Sequence, residues 1–110
     1  MIKVLLDENL PVKLKFRFDE DFEVSTVYDM GWNAKKNGEL LDLINNGEFH
    51  YFITSDQNIE YQQNITFLKF SLIILIAPDN RYETLVKLIS SVKEAIKSPS
   101  KLQLIHIGIQ

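Results

Sequence analysis

Residues 51–58 read YFITSDQN, four apolar or β-favouring side chains followed at once by a polar cluster. A buried parallel strand looks like this where it ends at a functional edge. Asp56 is therefore expected just past a strand tip. The amino-terminal residues repeat the arrangement, with Ile2, Val4, Leu5 and Leu6 breaking abruptly into Asp7, Glu8 and Asn9. In a parallel sheet both strand ends fall on the same edge, which brings two carboxylates there. Asp also favours turns and helix caps, so either acid taken alone fits that simpler role.

Outward from these two strands, helical and extended patterns alternate. Asn9, Leu10 and Pro11 read as a helix start, with Leu10, Leu14 and Phe18 spaced to share an inward face. Residues 22–27 alternate apolar and polar side chains as an edge strand would. Asn37 is an N-cap candidate for a helix that buries Leu40, Leu41 and Ile44 and puts Glu39 in its first turn. A helix that follows a strand begins at the edge where the strand ends, so Glu39 is expected near Asp7 and Asp56. The helix dipole also favours an acid in a first turn, which explains Glu39 equally well. Asn45, Asn46 and Gly47 end this helix with residues that tolerate left-handed backbone.

The stretch FSLIILIA, residues 70–77, is the most apolar in the chain and predicts a strand covered on both faces. It breaks into Pro78, Asp79, Asn80 and Arg81 on the same edge. Leu85, Leu88, Ile89, Val92 and Ile96 then mark the longest helix, over 82–97, and residues 102–109 predict a final edge strand. The pattern is that of a single α/β domain over 1–110, a three-layer α/β/α sandwich with a mainly parallel sheet of about five strands. In such sheets a ligand sits outside the carboxyl ends of the strands.

Composition narrows the chemistry. The 110 residues are 45% hydrophobic and 25% charged, as in ordinary globular proteins, and contain no cysteine. Disulfides, thiolate nucleophiles and zinc–sulfur sites are thereby excluded. No run is long enough to span a membrane and no secretory h-region opens the chain, so a cytoplasmic protein with no membrane partner is expected. The net charge of −3 gives no global attraction to nucleic acid. A local basic strip at Lys13, Lys15 and Arg17 could still act, although most such lysines are solvated surface. Trp32 reads as a plug over one end of the core, with base stacking as the alternative. His50 has no second histidine beside it in sequence and reads as structural or surface, and His106 reads as a strand residue on an exposed or partly covered face rather than a catalyst.

Converging carboxylates repel and raise one another's pKa unless a cation neutralises them. Asp7, Glu39 and Asp56 form the candidate catalytic and metal-binding set, with Asp79 a further acid. Without cysteine or paired histidines the ion expected is Mg²⁺ or Mn²⁺, suited to phosphodiester hydrolysis.

VLLDENLP at the start, the segment from Gly31-Trp32 to NGELL, and ITSDQN with YQQN resemble short prokaryotic PIN-like domains related to VapC-type toxin ribonucleases. The resemblance runs from Met1 to about Arg81. It implies a PIN-like fold and a metal-dependent endoribonuclease acting on RNA, with its acids at Asp7, Glu39 and Asp56. It further implies the toxin half of a toxin–antitoxin pair, with a cognate antitoxin protein as partner; a homodimer is also plausible. In that reading Asn9 and Asn58 orient water or ligands, while Arg81, Lys35 and Lys36 contact phosphate. Asn58 stands where a PIN site would carry its fourth acid. That departure motivates an alternative, a catalytically inactive PIN-like module that binds RNA or protein. A receiver-like phosphoacceptor domain is a third reading, weakened because Ala77 stands where a hydroxyl would be wanted and no Lys ends the fifth strand.

Overall fold

The computed structural model describes residues 1–108. Five strands form one sheet: β1 (Ile2–Leu6), β2 (Phe22–Thr26), β3 (Tyr51–Thr54), β4 (Ser71–Ile76) and β5 (Leu104–Gly108). All neighbours pair in parallel in the order β2-β1-β3-β4-β5. The expected strand 102–109 forms over Leu104–Gly108, and its last predicted residue, Ile109, lies outside the described residues.

Because side chains alternate along each strand, the register sorts the apolar residues into two cores. Leu6 lies opposite Ile53, which lies opposite Ile73, so these face one way together with Val4, Tyr51 and Leu75. Leu5, Phe52, Leu72 and Ile74 face the other way. Helices cover both sides, which makes three layers. α1 (Asn37–Asn45) and the single-turn α2 (Ile59–Gln62) pack Leu40, Leu41, Ile44 and Ile59 on the Phe52 face. A 3₁₀ segment (Val12–Arg17) packs Leu14 on the opposite face. Beside it run α3 (Tyr82–Leu85), a 3₁₀ turn (Val86–Leu88) and α4 (Ile89–Lys97), which together fill the span expected of one long helix. No helix is long and apolar enough to cross a membrane among the described residues.

Two local expectations came out differently. The segment after Pro11 winds as a 3₁₀ helix, because Leu14 is its only buried residue; Leu10 and Phe18, meant to share that face, lie outside its ends. Six residues with one buried anchor gain little from α-type hydrogen bonds, and short 3₁₀ pieces serve as connectors. At the end of α1, Asn46 stays right-handed at φ −85° and its N–H reaches the carbonyls of Asp42 and Ile44. Left-handed backbone occurs instead at Gly31 (φ 72°) and at Ala34 (φ 68°), a position that strains a residue bearing a Cβ.

The crossovers position the whole assembly. From β1 to β2 the chain moves toward one edge over the Leu14 face, and from β2 to β3 and on to β4 it moves back over the Phe52 face. These three connections share one hand, and right-handed crossovers dominate parallel sheets. From β4 to β5 the chain continues in the same direction, but its helices lie on the Leu14 face, so this last crossover has the opposite hand. Two lysines anchor it beneath β1: Lys93 Nζ donates to the Arg17 carbonyl at 2.9 Å and pairs with Asp19 at 3.1 Å, and Lys97 pairs with Asp21 at 3.2 Å. The acidic run at 19–21 therefore serves as a docking point for α4.

Phe52 is fully buried and meets Phe70 edge-on at 6.4 Å. Phe52→Ala is expected to lower the unfolding free energy by about 3–5 kcal/mol in urea denaturation. Leu102→Ala, at a side chain 59% exposed, should stay within about 0.5 kcal/mol of the parent.

Candidate functional site

The strand order reverses between β1 and β3, which leave the middle of the sheet with connections on opposite faces. Ligands of open α/β sheets bind at such a switch point, outside the carboxyl ends of the strands. Asp7 directly follows β1 there, and its N–H continues the ladder by donating to the Ile53 carbonyl at 2.9 Å. Asp56 follows β3 by two residues.

The Thr54 hydroxyl joins the two acids. It donates to Asp7 Oδ2 at 2.6 Å and accepts the Asp56 N–H at 3.0 Å, and it is also approached by Asn9 Nδ2 at 3.5 Å. One donor and two acceptor positions exhaust what a hydroxyl offers. Asp7 Oδ1 takes the Glu8 N–H at 2.8 Å. Asp56 is held by the Asn58 N–H on Oδ1 at 3.0 Å and by Asn37 Nδ2 on Oδ2 at 3.1 Å. Asn37, expected to cap α1, opens that helix and turns its amide toward Asp56 instead.

Asp7 is 8% exposed, and burial pushes its carboxyl above the usual range. The hydrogen bonds from Thr54 and from the Glu8 N–H pull it partly back, and the charges of Glu8 and Asp56 push it up again. Two further oxygens nearby in sequence, Asn9 Oδ1 and Ser55 Oγ, are buried without a hydrogen-bond partner among the described residues. The edge thus combines two carboxylates, one of them held at a disadvantage, with neutral oxygens that have unused capacity. Hard cations are commonly bound by one or two carboxylates plus waters, and this donor set fits Mg²⁺ or Mn²⁺.

The other expected residues take different places. Glu39 is exposed in the first turn of α1 and pairs with Lys35 at 3.8 Å. Among the described residues no group of three His, Cys, Asp or Glu side chains is disposed to hold one ion. The structure thus groups Asp7 with Asp56 and leaves Glu39 apart from them, lining a groove with Lys35, Lys36, Asn37 and Gln63. Asp79 takes the Arg81 N–H at 3.0 Å, and the Thr84 hydroxyl, the largest influence, holds its carboxyl below the usual range. It precedes Arg81, the N-cap of α3, and the Arg81 guanidinium pairs with it at 3.5 Å. The Asn58 side chain is exposed.

Other residues do what their sequence context suggested. Trp32 is half-buried edge-on to Phe49 at 6.2 Å, as a plug would be. His50 Nδ1 accepts the Lys3 N–H at 2.9 Å, a structural role. His106 reaches Glu60 at 2.5 Å on the exposed side of β5. A separate cleft of about 490 Å³, lined by Tyr51, Phe70, Ile96, Leu102 and Gln103, opens at the amino ends of the strands, away from the carboxylates.

Two contributors escaped the sequence reading. Thr54 read as a strand residue, although a hydroxyl closing an otherwise apolar strand was a usable signal. Glu8 accepts the Ala34 N–H at 3.0 and 3.3 Å on its two oxygens, fixing the strained residue of the loop before α1. No local pattern links positions 8 and 34.

Comparison of the chain with family models, with curated proteins and with solved structures returned no match.

Thr54→Val removes the hydroxyl that donates to Asp7 Oδ2 and should cost about 1–3 kcal/mol of stability, with Thr54→Ser retaining most of it in the same denaturation assay. Because the Asp7 carboxyl is raised in the folded state, its penalty is absent below the ordinary Asp range and grows as pH rises through the folded value. In EDTA, Asp7→Asn should therefore unfold at a higher temperature than wild type at pH 7, with the gap closing toward pH 3.

Proposed function

We propose that this chain is a Mg²⁺- or Mn²⁺-dependent endoribonuclease of PIN-like type, working in the cytoplasm as the toxin of a toxin–antitoxin pair. The observation that carries the reading is the buried Asp7 carboxyl, raised by burial and tied through one hydroxyl to Asp56 at the sheet's switch point. A functional acid kept in an unfavourable state marks a site built for a ligand rather than for stability. The PIN-like identity and the choice of RNA rest on the motifs around Asp7, Glu39 and Asp56.

Asp7 and Asp56 would hold the ion, with Asn9 Oδ1 and Ser55 Oγ available to accept from coordinated or attacking water. Such an ion supplies polarisation of a phosphoryl oxygen and a more acidic water. Thr54 and Asn37 keep the two carboxylates in one orientation before substrate arrives, which is the preorganisation that phosphoryl chemistry rewards. Lys35 and Lys36 stand at the start of α1 on the rim of the adjoining groove, where phosphates of a bound strand would pass. Glu39 lies one turn along the same helix and would act on the ion through water. An antitoxin would be expected to cover this edge, and a homodimer remains part of the proposal.

The isolation of Glu39 from the acid pair favours one second reading, a module of the same fold that binds RNA or protein without cutting it. The strand order is also that of receiver-like phosphoacceptor domains. Against that reading, β4 ends in Ile76 with Ala77 next, so no hydroxyl stands at its tip.

Purified protein incubated with a mixed RNA pool and Mn²⁺ should cleave it, and Asp7→Asn or Asp56→Asn should lower the rate at least about 100-fold. Glu39→Gln should lower it less, because its carboxylate lies outside the pair. Equal traces for wild type and both Asp variants, with no thermal shift on adding Mn²⁺, would leave the binding module as the reading.

A further inference from the structure

The net charge of −3 conceals one basic strip that the acid pair does not account for, the segment VKLKFR at 12–17. In a 3₁₀ helix residues three apart eclipse, so Lys13 and Phe16 stand one above the other on the same face. That face is not the one Leu14 buries. Phe16 is 75% exposed, and Lys15 Nζ lies 5.6 Å from the centre of its ring. Arg17 donates to the Tyr82 hydroxyl and sets its guanidinium 5.6 Å over that ring. Among the described residues neither Lys13 nor Arg17 is ion-paired, while the nearby acids Asp19 and Asp21 are taken up by Lys93 and Lys97. Lys15 pairs with Asp29, whose carboxylate already accepts the Thr26 N–H at 2.9 Å.

The Phe16 ring is one of the large apolar side chains that the fold leaves in water, and what sets it apart is the Lys15 ammonium beside it. A ring flanked by cations is what nonspecific single-strand binders present, the ring for a base and the cations for phosphates. The segment also starts from the site edge: the Leu10 N–H closes a turn onto the Asp7 carbonyl at 3.1 Å, and Val12 follows directly after Pro11. Tyr28, 52% exposed, lies in the loop to which Asp29 ties Lys15.

We propose that the 3₁₀ segment is a docking platform for single-stranded RNA, with a base stacked on Phe16 and phosphates held by Lys13, Lys15 and Arg17. The choice of RNA rests on the ribonuclease reading; the single-strand geometry and the residues do not. The platform would feed the strand toward the Asp7–Asp56 edge. Charge favours nucleic acid over a protein partner, because Lys13 and Lys15 flank the Phe16 ring, Arg17 lies over the neighbouring Tyr82 ring, and Asp19 and Asp21 are already paired with Lys93 and Lys97.

The test is fluorescence anisotropy with a labelled ten-nucleotide oligo(U) in EDTA, where no cleavage occurs. Phe16→Ala should weaken binding about tenfold and Phe16→Trp should preserve it, all variants keeping the wild-type melting temperature. Lys13→Gln with Lys15→Gln should flatten the slope of log K against log salt by about 1.4, the value for two lost contacts to a single strand. Binding with these effects but no cleavage in Mn²⁺ sinks the ribonuclease reading and leaves the platform standing. No binding by wild type, or equal binding by wild type and Phe16→Ala, overturns the platform, and in the second case a protein partner becomes the occupant to seek.

Discussion

A carboxyl group buried where two neighbouring strands end is the constraint on which the rest of this molecule turns. Asp7 gives its backbone to the sheet and its side chain to the site, so the register of β1 on β3 and the geometry of the acid pair are one fact. Slip that register by one residue and every apolar side chain of β1 would change faces. The two cores, fully packed on both sides of β3 and β4, prevent that slip. The stability gained in the layers therefore holds an acid in a position it would not choose, which is a common division of labour between scaffold and site.

Much of the scaffold could be read from residue order alone. The uninterrupted apolar runs at 51–54 and 70–77 carried strands with both faces covered, and the spacing of Leu85, Leu88, Ile89, Val92 and Ile96 carried the buried face of a helical stretch that the structure divides into α3, a 3₁₀ turn and α4. These are local periodicities with many residues voting for each outcome. The segment after Pro11 had too few. With Leu10 and Phe18 at its margins, its i, i+4 pattern did not determine whether the turn closed as α or 3₁₀. Asp7 and Asp56 were legible because strand ends in a parallel sheet share an edge whatever the details.

The finer parts of the site were not legible, for a different reason. Asn37 looked like a cap because its local sequence favours one, and only the approach of β3 offered it Asp56 as a better partner. Glu39 was placed by the same general rule as the other acids. Yet a helix's first turn covers several ångströms and several directions, and this carboxylate points to Lys35. Glu8 and Ala34 meet across 26 positions of chain. Contacts of this kind depend on where loops come to rest, and loops carry little periodic signal.

The reversed final crossover has a consequence for how the chain is made. During synthesis the first four strands and every helix are complete before residues 104–108 exist, so β4 must wait as an outer strand. Its sequence, SLIILI, is the most apolar and least charged in the protein, and its open side then offers a row of unpaired amides and carbonyls. In a nascent chain that side is the surface most prone to pairing with another molecule. β5, half-covered itself and carrying His106 and Gly108 on its outer reaches, is less a part of the core than the lid that closes this sticky margin.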